Sequence, residues 1–287
     1  MNITGAGKVA GVMGWPISHS LSPVLHGYWL REKKVDGALV PLGVRPEDFS
    51  TVLMALRAAG FRGTNVTVPH KEAAFALADS FDAAAAAAGA VNLLVFREDG
   101  HIEGRNTDAV GLRESLREEL GEGKLSGKDA VLLGAGGGAR GAVLALAQHG
   151  IATIHVLNRH PERAKSLCDA LAPMVKSTLK PAGLENWDKV AGGAALLVNA
   201  TSAGMNDRNP LTISLEPLPK DAAVCDIVYN PLETDLLRRA RARGHQCLDG
   251  LGMLMHQAAP SFEAFFGIKP DVTPGLRAVL ERVLAHG

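Results

Sequence analysis

The stretch Val131–Gly150 reads VLLGAGGGARGAVLALAQHG. An apolar run ends at Gly134 and an apolar, helix-forming run follows Arg140. Between them Gly134, Gly136 and Ala139 fit G-x-G-x-x-A. The first glycine permits a tight strand-to-helix turn. The second lets the backbone approach a pyrophosphate, which the positive end of the next helix attracts. The spacing alone is weak; strand, loop, helix and a second strand in that order are the confirming context. The competing reading is an ordinary glycine-rich turn. Working outward, strand candidates fall at Asp129–Gly134, Thr153–Asn158, Val175–Lys180, Ala194–Asn199, Ala222–Tyr229 and Gln246–Asp249. Helical patterns lie between most of them. Such alternation implies a parallel sheet, and six strands match the doubly wound dinucleotide-binding plan.

The second strand bears on the cofactor. NAD sites usually carry an acid about 20 residues after the glycines, bonded to the ribose 2′-hydroxyl. Here the strand ends in Asn158-Arg159, and the nearest acid is Glu162. A guanidinium suits a 2′-phosphate, because its planar fork pairs with phosphate oxygens. Arg163 lies four residues on, within reach of a clamp if a helix starts near Pro161. This favours NADP over NAD; two solvated arginines at a helix start are the alternative.

The flanks complete the plan. With 287 residues, the chain is long enough for two domains. The segment Met1–Thr107 alternates short apolar runs with Ala/Leu-rich helical stretches. Near the C-terminus Thr273 can cap a helix with Pro274 at its first position. Leu276, Val279, Leu280, Val283 and Leu284 then recur on one helical face, which must pack on something. The expectation is a first domain of residues 1–107 plus 250–287, with residues 108–249 inserted as the nucleotide domain. A helix from Thr107 to Leu120 would be one of two crossings. The run Ala83–Ala88 reflects helix propensity alone.

Composition excludes other classes. Hydrophobic residues make up 47% and charged residues 21%, which rules out wholesale disorder and coiled coil. Thirty basic residues balance thirty acidic ones, so there is no electrostatic footprint for nucleic acid or an anionic membrane. Cys168, Cys225 and Cys247 form no CxxC pair and read as buried apolar thiols. No signal peptide or membrane span is visible, so the default is a soluble cytoplasmic protein, monomer or homodimer. No HExxH or Cys/His ligand spacing occurs, and no metal is implied.

The first domain holds small polar residues where strands should end. GWPISHSLSPVLHG places Ser20 and Ser22 before Pro23. Ser22 reads as an N-cap, or with Ser20 as a carboxylate site at a helix N-terminus. In GTNVTVPHK, Asn65 and Thr67 would share one face of a strand that ends at Pro69, with Lys71 just after. Buried polar residues need partners, and a polyol would supply them; a half-exposed edge strand is the alternative. Asn92 interrupts AVNLLVF, and Asn106, Thr107 and Asp108 lie at a strand-to-helix junction. Lys71, Asn92 and Asp108 thus offer a cation, an amide and an anion. A lysine can exchange a proton with a carbinol oxygen while hydride moves at its carbon. His19, His26 and His70 read as packing or supporting groups.

These blocks converge. GWPISHSLSPVLH, GTNVTVPHK, AVN, GRNTDAVG, GAGGGAR, NR, NATSAGM, DIVYNP and GLGMLMHQA occur in the order found in the shikimate/quinate dehydrogenase family. The chain resembles shikimate dehydrogenases across essentially its full length. The resemblance implies an α/β protein of two domains: an N-terminal substrate domain with a mixed sheet, and an inserted Rossmann-like, doubly wound NADP-binding domain. It implies reversible NADPH-dependent reduction of 3-dehydroshikimate to shikimate, on the route to chorismate and aromatic amino acids. It further implies that Lys71 and Asp108 are the catalytic pair and that Ser20 and Ser22 hold the substrate carboxylate. Asn65, Thr67, Asn92, Tyr229 and Gln257 would complete the substrate contacts. Gly134, Ala135, Gly136, Gly137, Asn158, Arg159 and Arg163 match the cofactor turn and clamp. Thr201, Ser202, Met205, Ile227 and Gly250 match its lining. Three positions depart from the family pattern: Gly27 for Asn, Leu93 for Thr, and His160 for the Thr of NADP-specific members. Ser22 favours shikimate over quinate. The alternatives are an NAD-preferring shikimate/quinate dehydrogenase, a non-catalytic NADP sensor, and a folate-interconverting dehydrogenase of similar architecture.

Overall fold

The computed structural model describes residues 3–205 and 208–286. The chain divides into two compact units, Met1–Thr107 with Met255–Gly287, and Asp108–Leu254. No helix among the described residues is long and apolar enough to cross a membrane.

The first unit contains a six-stranded sheet. Its elements are β1 (Lys8–Gly14), α1 (Ser22–Glu32), β2 (Gly37–Gly43), α2 (Phe49–Ala58), β3 (Gly63–Val66), α3 (Lys71–Leu77), β4 (Ser80–Phe81), α4 (Ala83–Ala88), β5 (Leu93–Phe96) and β6 (Ile102–Arg105). The strand order is β2-β1-β3-β5-β6-β4. β1 runs parallel to β2 and β3, whereas β5 is antiparallel to β3 and to β6, so the sheet is mixed. Met13, Phe49, Leu53, Val91, Leu94 and Ile102 form a core that water does not reach. The alanine run forms α4, opened by the Asp82 carboxylate accepting from Ala85 N at 2.6 Å. Two sequence expectations need correction. β3 stops at Val66, so Thr67 lies beyond the strand and does not share a strand face with Asn65. Ser22 is the first residue of α1 rather than its cap, because the backbone is already helical at Leu21.

The second unit contains a six-stranded parallel sheet. Its elements are α5 (Asp108–Leu120), β7 (Asp129–Leu133), α6 (Gly137–Gln148), β8 (Thr153–Asn158), α7 (Pro161–Leu171), β9 (Thr178–Gly183), α8 (Trp187–Val190), β10 (Ala194–Asn199), β11 (Ala223–Asp226), α9 (Asp235–Ala242) and β12 (Cys247–Leu248). The order β12-β11-β10-β7-β8-β9 reverses direction between β7 and β10, the switch point of a doubly wound sheet. Val131, Leu133, Leu157, Leu197 and Val224 face a common core with Trp187, Leu236 and Leu237. β9 is Thr178–Gly183 rather than Val175–Lys180. It carries Pro181, which a ladder tolerates because β9 is an edge strand. β11 ends at Asp226 instead of running to Tyr229, because the Asp226 carboxylate accepts from Val228 N at 3.1 Å and turns the chain. Cys168 and Cys225 are buried and Cys247 is half-buried.

The chain ends in α10 (Gly250–Phe266) and α11 (Pro274–His286). The division between the units falls inside α10, after Leu254, while the sequence reading put it at Gly250, the first residue of that helix. In the first unit the Trp29 indole N–H donates to the Asp271 carbonyl at 2.9 Å, and Lys8 Nζ donates to the Phe266 carbonyl at 3.2 Å. Thr273 Oγ1 accepts from Leu276 N at 3.2 Å and opens α11. Leu276 and Leu280 are buried, but Val283 is 38% exposed, so the apolar face is only partly covered.

Candidate functional site

In the first unit, Asn65, Asn92, Thr107, Gln257 and Ser261 meet as one hydrogen-bonded group. Asn92, 5% exposed, precedes β5. Its Oδ1 accepts from Thr107 N at 2.9 Å, and its Nδ2 donates to Thr107 Oγ1 at 3.0 Å and to Gln257 Oε1 at 3.4 Å. Asn65 Nδ2 donates to Ser261 Oγ at 2.7 Å and to the Asn92 carbonyl at 3.4 Å. That carbonyl can only accept, so it fixes which way the Asn65 amide faces. The Asn65 Oδ1 is left as the acceptor on offer. Ser261 escaped the sequence reading: it stands in an apolar helix just after Pro260, with nothing local to set it apart.

The first unit also holds the other residues expected there. Lys71 is half-buried at the first position of α3, and its carbonyl accepts from Val91 N at 2.9 Å. His70, just before it, is buried. Its Nε2 lies 2.7 Å from the Val44 carbonyl and its ring stacks on Phe49, which pins the start of α3. Thr67 packs its methyl where a Cβ on Gly14 would lie, 2.5 Å away, and its N–H donates to the Met13 carbonyl. Ser20 Oγ accepts from Ser22 N at 3.3 Å, so Ser20 serves the helix start. His19 is exposed rather than packed. His26 is fully buried among Trp29, Phe262, Phe265 and Phe266, and burial lowers its pKa to about 3.

The second unit holds the remaining residues. Asp108, 1% exposed, is the first residue of α5. Its Cβ would stand 2.7 Å from a Cβ on Gly141 of α6, so the glycine makes room for it. Tyr229 also belongs to this unit, half-buried after β11. The glycine turn follows β7. Gly134 has φ +112°, and a Cβ there would come within 2.9 Å of the Ala200 carbonyl oxygen. Both facts demand glycine. A Cβ at Gly136 would meet nothing within 4 Å, and α6 begins with no side-chain cap. The turn is therefore an open cradle, and among the described residues no side chain caps the start of its helix, which fits a pyrophosphate. Ala135 and Gly137 are half-buried on either side.

β8 delivers Asn158, whose Nδ2 donates to the His160 carbonyl at 3.2 Å. Arg159 and Arg163 are exposed at the start of α7, and Arg163 N donates to the His160 carbonyl. His160 takes the position before that helix, 3.6 Å from Glu162. The departures at Gly27 and Leu93 are accommodated without strain: Gly27 faces Arg31 along α1, and Leu93 is buried in β5. After β10 come Thr201, Ser202 and Met205, and after β11 comes Ile227. A Cβ at Gly250 would overlap the Ile227 carbonyl oxygen, so the start of α10 fits under this loop only as glycine.

Asn199, Asp226 and Thr234, unread in the sequence, are buried behind these loops. Burial pushes the Asp226 carboxyl up to about 6, against hydrogen bonds from Thr234, Val228 and Asn199 that favour its ionised form. A polar residue inside the apolar run AVCDIVY was the available signal.

The comparisons with known proteins cover the same ground. Residues 12–94 match the shikimate dehydrogenase substrate binding domain, residues 115–206 the shikimate / quinate 5-dehydrogenase model, and residues 250–280 the shikimate 5′-dehydrogenase C-terminal domain. The chain is 49% identical over 279 residues to the shikimate dehydrogenase (NADP(+)) of Paramagnetospirillum magneticum, covering 96% of this chain and 99% of that one. It is 50% identical over 281 residues to the protein of the same name from Methylobacterium radiotolerans, covering 96% of each. Among solved structures, shikimate 5-dehydrogenase from Thermus thermophilus in complex with NADP(H) and shikimate superposes with a TM-score of 0.82 at 35% identity, covering 97% of this chain and 99% of that one.

Proposed function

This chain belongs to the shikimate dehydrogenase family, and from that premise we propose that it reduces 3-dehydroshikimate reversibly to shikimate with NADPH. The observation that carries the proposal is the open glycine turn at the sheet's switch point, with Arg159 just after the next strand and Arg163 in the helix that follows, where an NAD site would place an acid. Gly134, Ala135, Gly136 and Gly137 would hold the pyrophosphate, and Asn158, Arg159 and Arg163 the adenosine end with its 2′-phosphate. Thr201, Ser202, Met205, Ile227 and Gly250 would line the rest. When bound, the nicotinamide supplies hydride to the ketone carbon or takes it from the carbinol.

The chain's own residues do the remaining work. Ser20 and Ser22 bind the carboxylate at the start of α1, where the helix dipole adds to their hydroxyls. The Asn65 Oδ1 accepts from a ring hydroxyl, since both its amide bonds are already spent on Ser261 and Asn92. Asn92, Gln257, Thr67 and Tyr229 complete the polyol contacts. Lys71, as ammonium, stabilises the charge that develops on the ketone oxygen and gives it a proton. Asp108 would act as the acid that orients the substrate hydroxyl. We place the enzyme in the cytoplasm, whose reducing conditions suit three free cysteines.

Initial rates followed by nicotinamide absorbance test this, using shikimate or quinate with NADP or NAD. The expected result is the highest kcat/KM for shikimate with NADP. A higher kcat/KM for quinate, or for NAD, would overturn the corresponding half of the assignment.

A further inference from the structure

Three residues outside every contact assigned above lie behind the nucleotide loops of the second unit. Asn199 and Asp226 are 0% exposed and Thr234 is 1% exposed. Asn199 ends β10. Its Oδ1 accepts from Thr201 N at 3.0 Å and Thr201 Oγ1 at 2.7 Å, and its Nδ2 donates to the Ala203 carbonyl at 3.4 Å. Its backbone carbonyl accepts from Ile227 N at 3.1 Å. Asp226 ends β11. Its Oδ1 accepts from Asn199 Nδ2 at 2.9 Å and Val228 N at 3.1 Å, and its Oδ2 from Thr234 Oγ1 at 2.8 Å. Thr234 caps α9 through Leu237 N and lies 3.5 Å from where a Cβ on Gly204 would be.

The bonds tie two loops to one carboxylate, and both loops touch the glycine turn. The Ala200 carbonyl oxygen lies 2.9 Å from the Cβ position of Gly134, and the Ile227 Cδ1 3.0 Å from that of Gly138. A shift of either loop would change the width of the cradle at the switch point, where a doubly wound sheet binds its ligand. We propose that Asn199, Asp226 and Thr234 are positioning residues for the dinucleotide, holding the Thr201 and Ile227 loops against the glycine turn without touching the nucleotide. This rests on the reading that the second unit binds NADP.

The test is nucleotide affinity, measured by calorimetric titration of the purified enzyme with NADP and, in parallel, NAD. The tighter of the two in the unaltered enzyme is used for the variants, so cofactor preference tests the functional reading while the variant ratio tests the positioning. Asn199→Ala and Asp226→Ala should each weaken binding about tenfold or more, because each leaves buried donors without an acceptor or opens the loop. Asp226→Asn keeps the Oδ1 acceptor and should stay within about threefold. If the alanine variants fail to fold, Thr234→Val carries the test. It keeps the side-chain shape, and it should weaken binding about threefold or more, with recovery in Thr234→Ser. The half-saturating shikimate concentration at saturating nucleotide should stay near that of the unaltered enzyme throughout. A folded Asp226→Ala or Thr234→Val with unaltered nucleotide affinity overturns the proposal. So does an equal rise in the shikimate constant, which would indicate general loosening of the fold.

Discussion

Lys71 and Asp226 show how differently two ionisable side chains are used. Lys71 stands half-buried at a helix start beside a histidine that packing has immobilised. Its proposed task is a single proton transfer, typically worth ~10²–10⁴-fold. Lys71→Ala should therefore lower kcat by about that factor while calorimetry still detects shikimate binding; near-normal turnover would assign the proton elsewhere. Asp226 has a structural task, and its raised pKa makes stability depend on pH. Its carboxyl moves from an ordinary 3.8 to about 6 on folding. The stabilising contribution is complete below the unfolded value and is lost as pH climbs through the folded one. Asp226→Asn has no such titration. Thermal melts of both proteins should show the variant gaining on the unaltered enzyme between about pH 4 and pH 7, then levelling off. A gap that stays constant with pH would mean the carboxyl is not held protonated by burial.

Helix–helix contact sets the position of Asp108. Gly141 on α6 leaves the space that the first residue of α5 occupies, with 2.7 Å between the two Cβ positions. Alanine at 141 gains about 1 kcal/mol of helix propensity but overpacks a closed contact at a cost of about 1–3 kcal/mol. Overpacking wins or draws, and the strain falls on the carboxylate. Gly141→Ala should lower kcat severalfold with a melting temperature that falls only slightly; steady-state kinetics and calorimetry on one preparation would show whether the two effects separate. Elements of this kind were legible to differing degrees. Ala194–Asn199 read to the residue because a central parallel strand is a continuous apolar run with a sharp end, and Thr153–Asn158 because its apolar residues stop abruptly at Asn158-Arg159. β9 was displaced because Pro181 looks like a terminator until the strand is known to be at an edge. The turn glycines and the site polar residues stood out because each sits in a short block with its neighbours. Ser261 did not, since its meaning comes from a bond to Asn65 across 196 positions. Asp226 stood out as a polar residue in an apolar run, but its pairing with Asn199 was hidden, because the two lie 27 residues apart.

The residues proposed for the two ligands divide between the two units. Asn65, Asn92, Gln257 and Lys71 belong to one, the glycine turn, Arg159 and Asp108 to the other. Ligand binding stabilises the part that binds it, by about 2.7 kcal/mol at a hundredfold excess over Kd. Hydrogen exchange followed by mass spectrometry should accordingly show NADP slowing exchange mainly in residues 129–250, and shikimate alone slowing it mainly around residues 20–22, 65–71 and 257–261. The opposite pattern would reverse the assignment of the units. β9 forms the rim of its sheet, and a bare rim is an invitation for a second chain to pair with it and seed fibrillar growth. Pro181 removes one donor from that rim and Lys180 sets a cation next to it, so the residue that obscured the strand in the sequence also guards crowded solutions of this enzyme against aggregation.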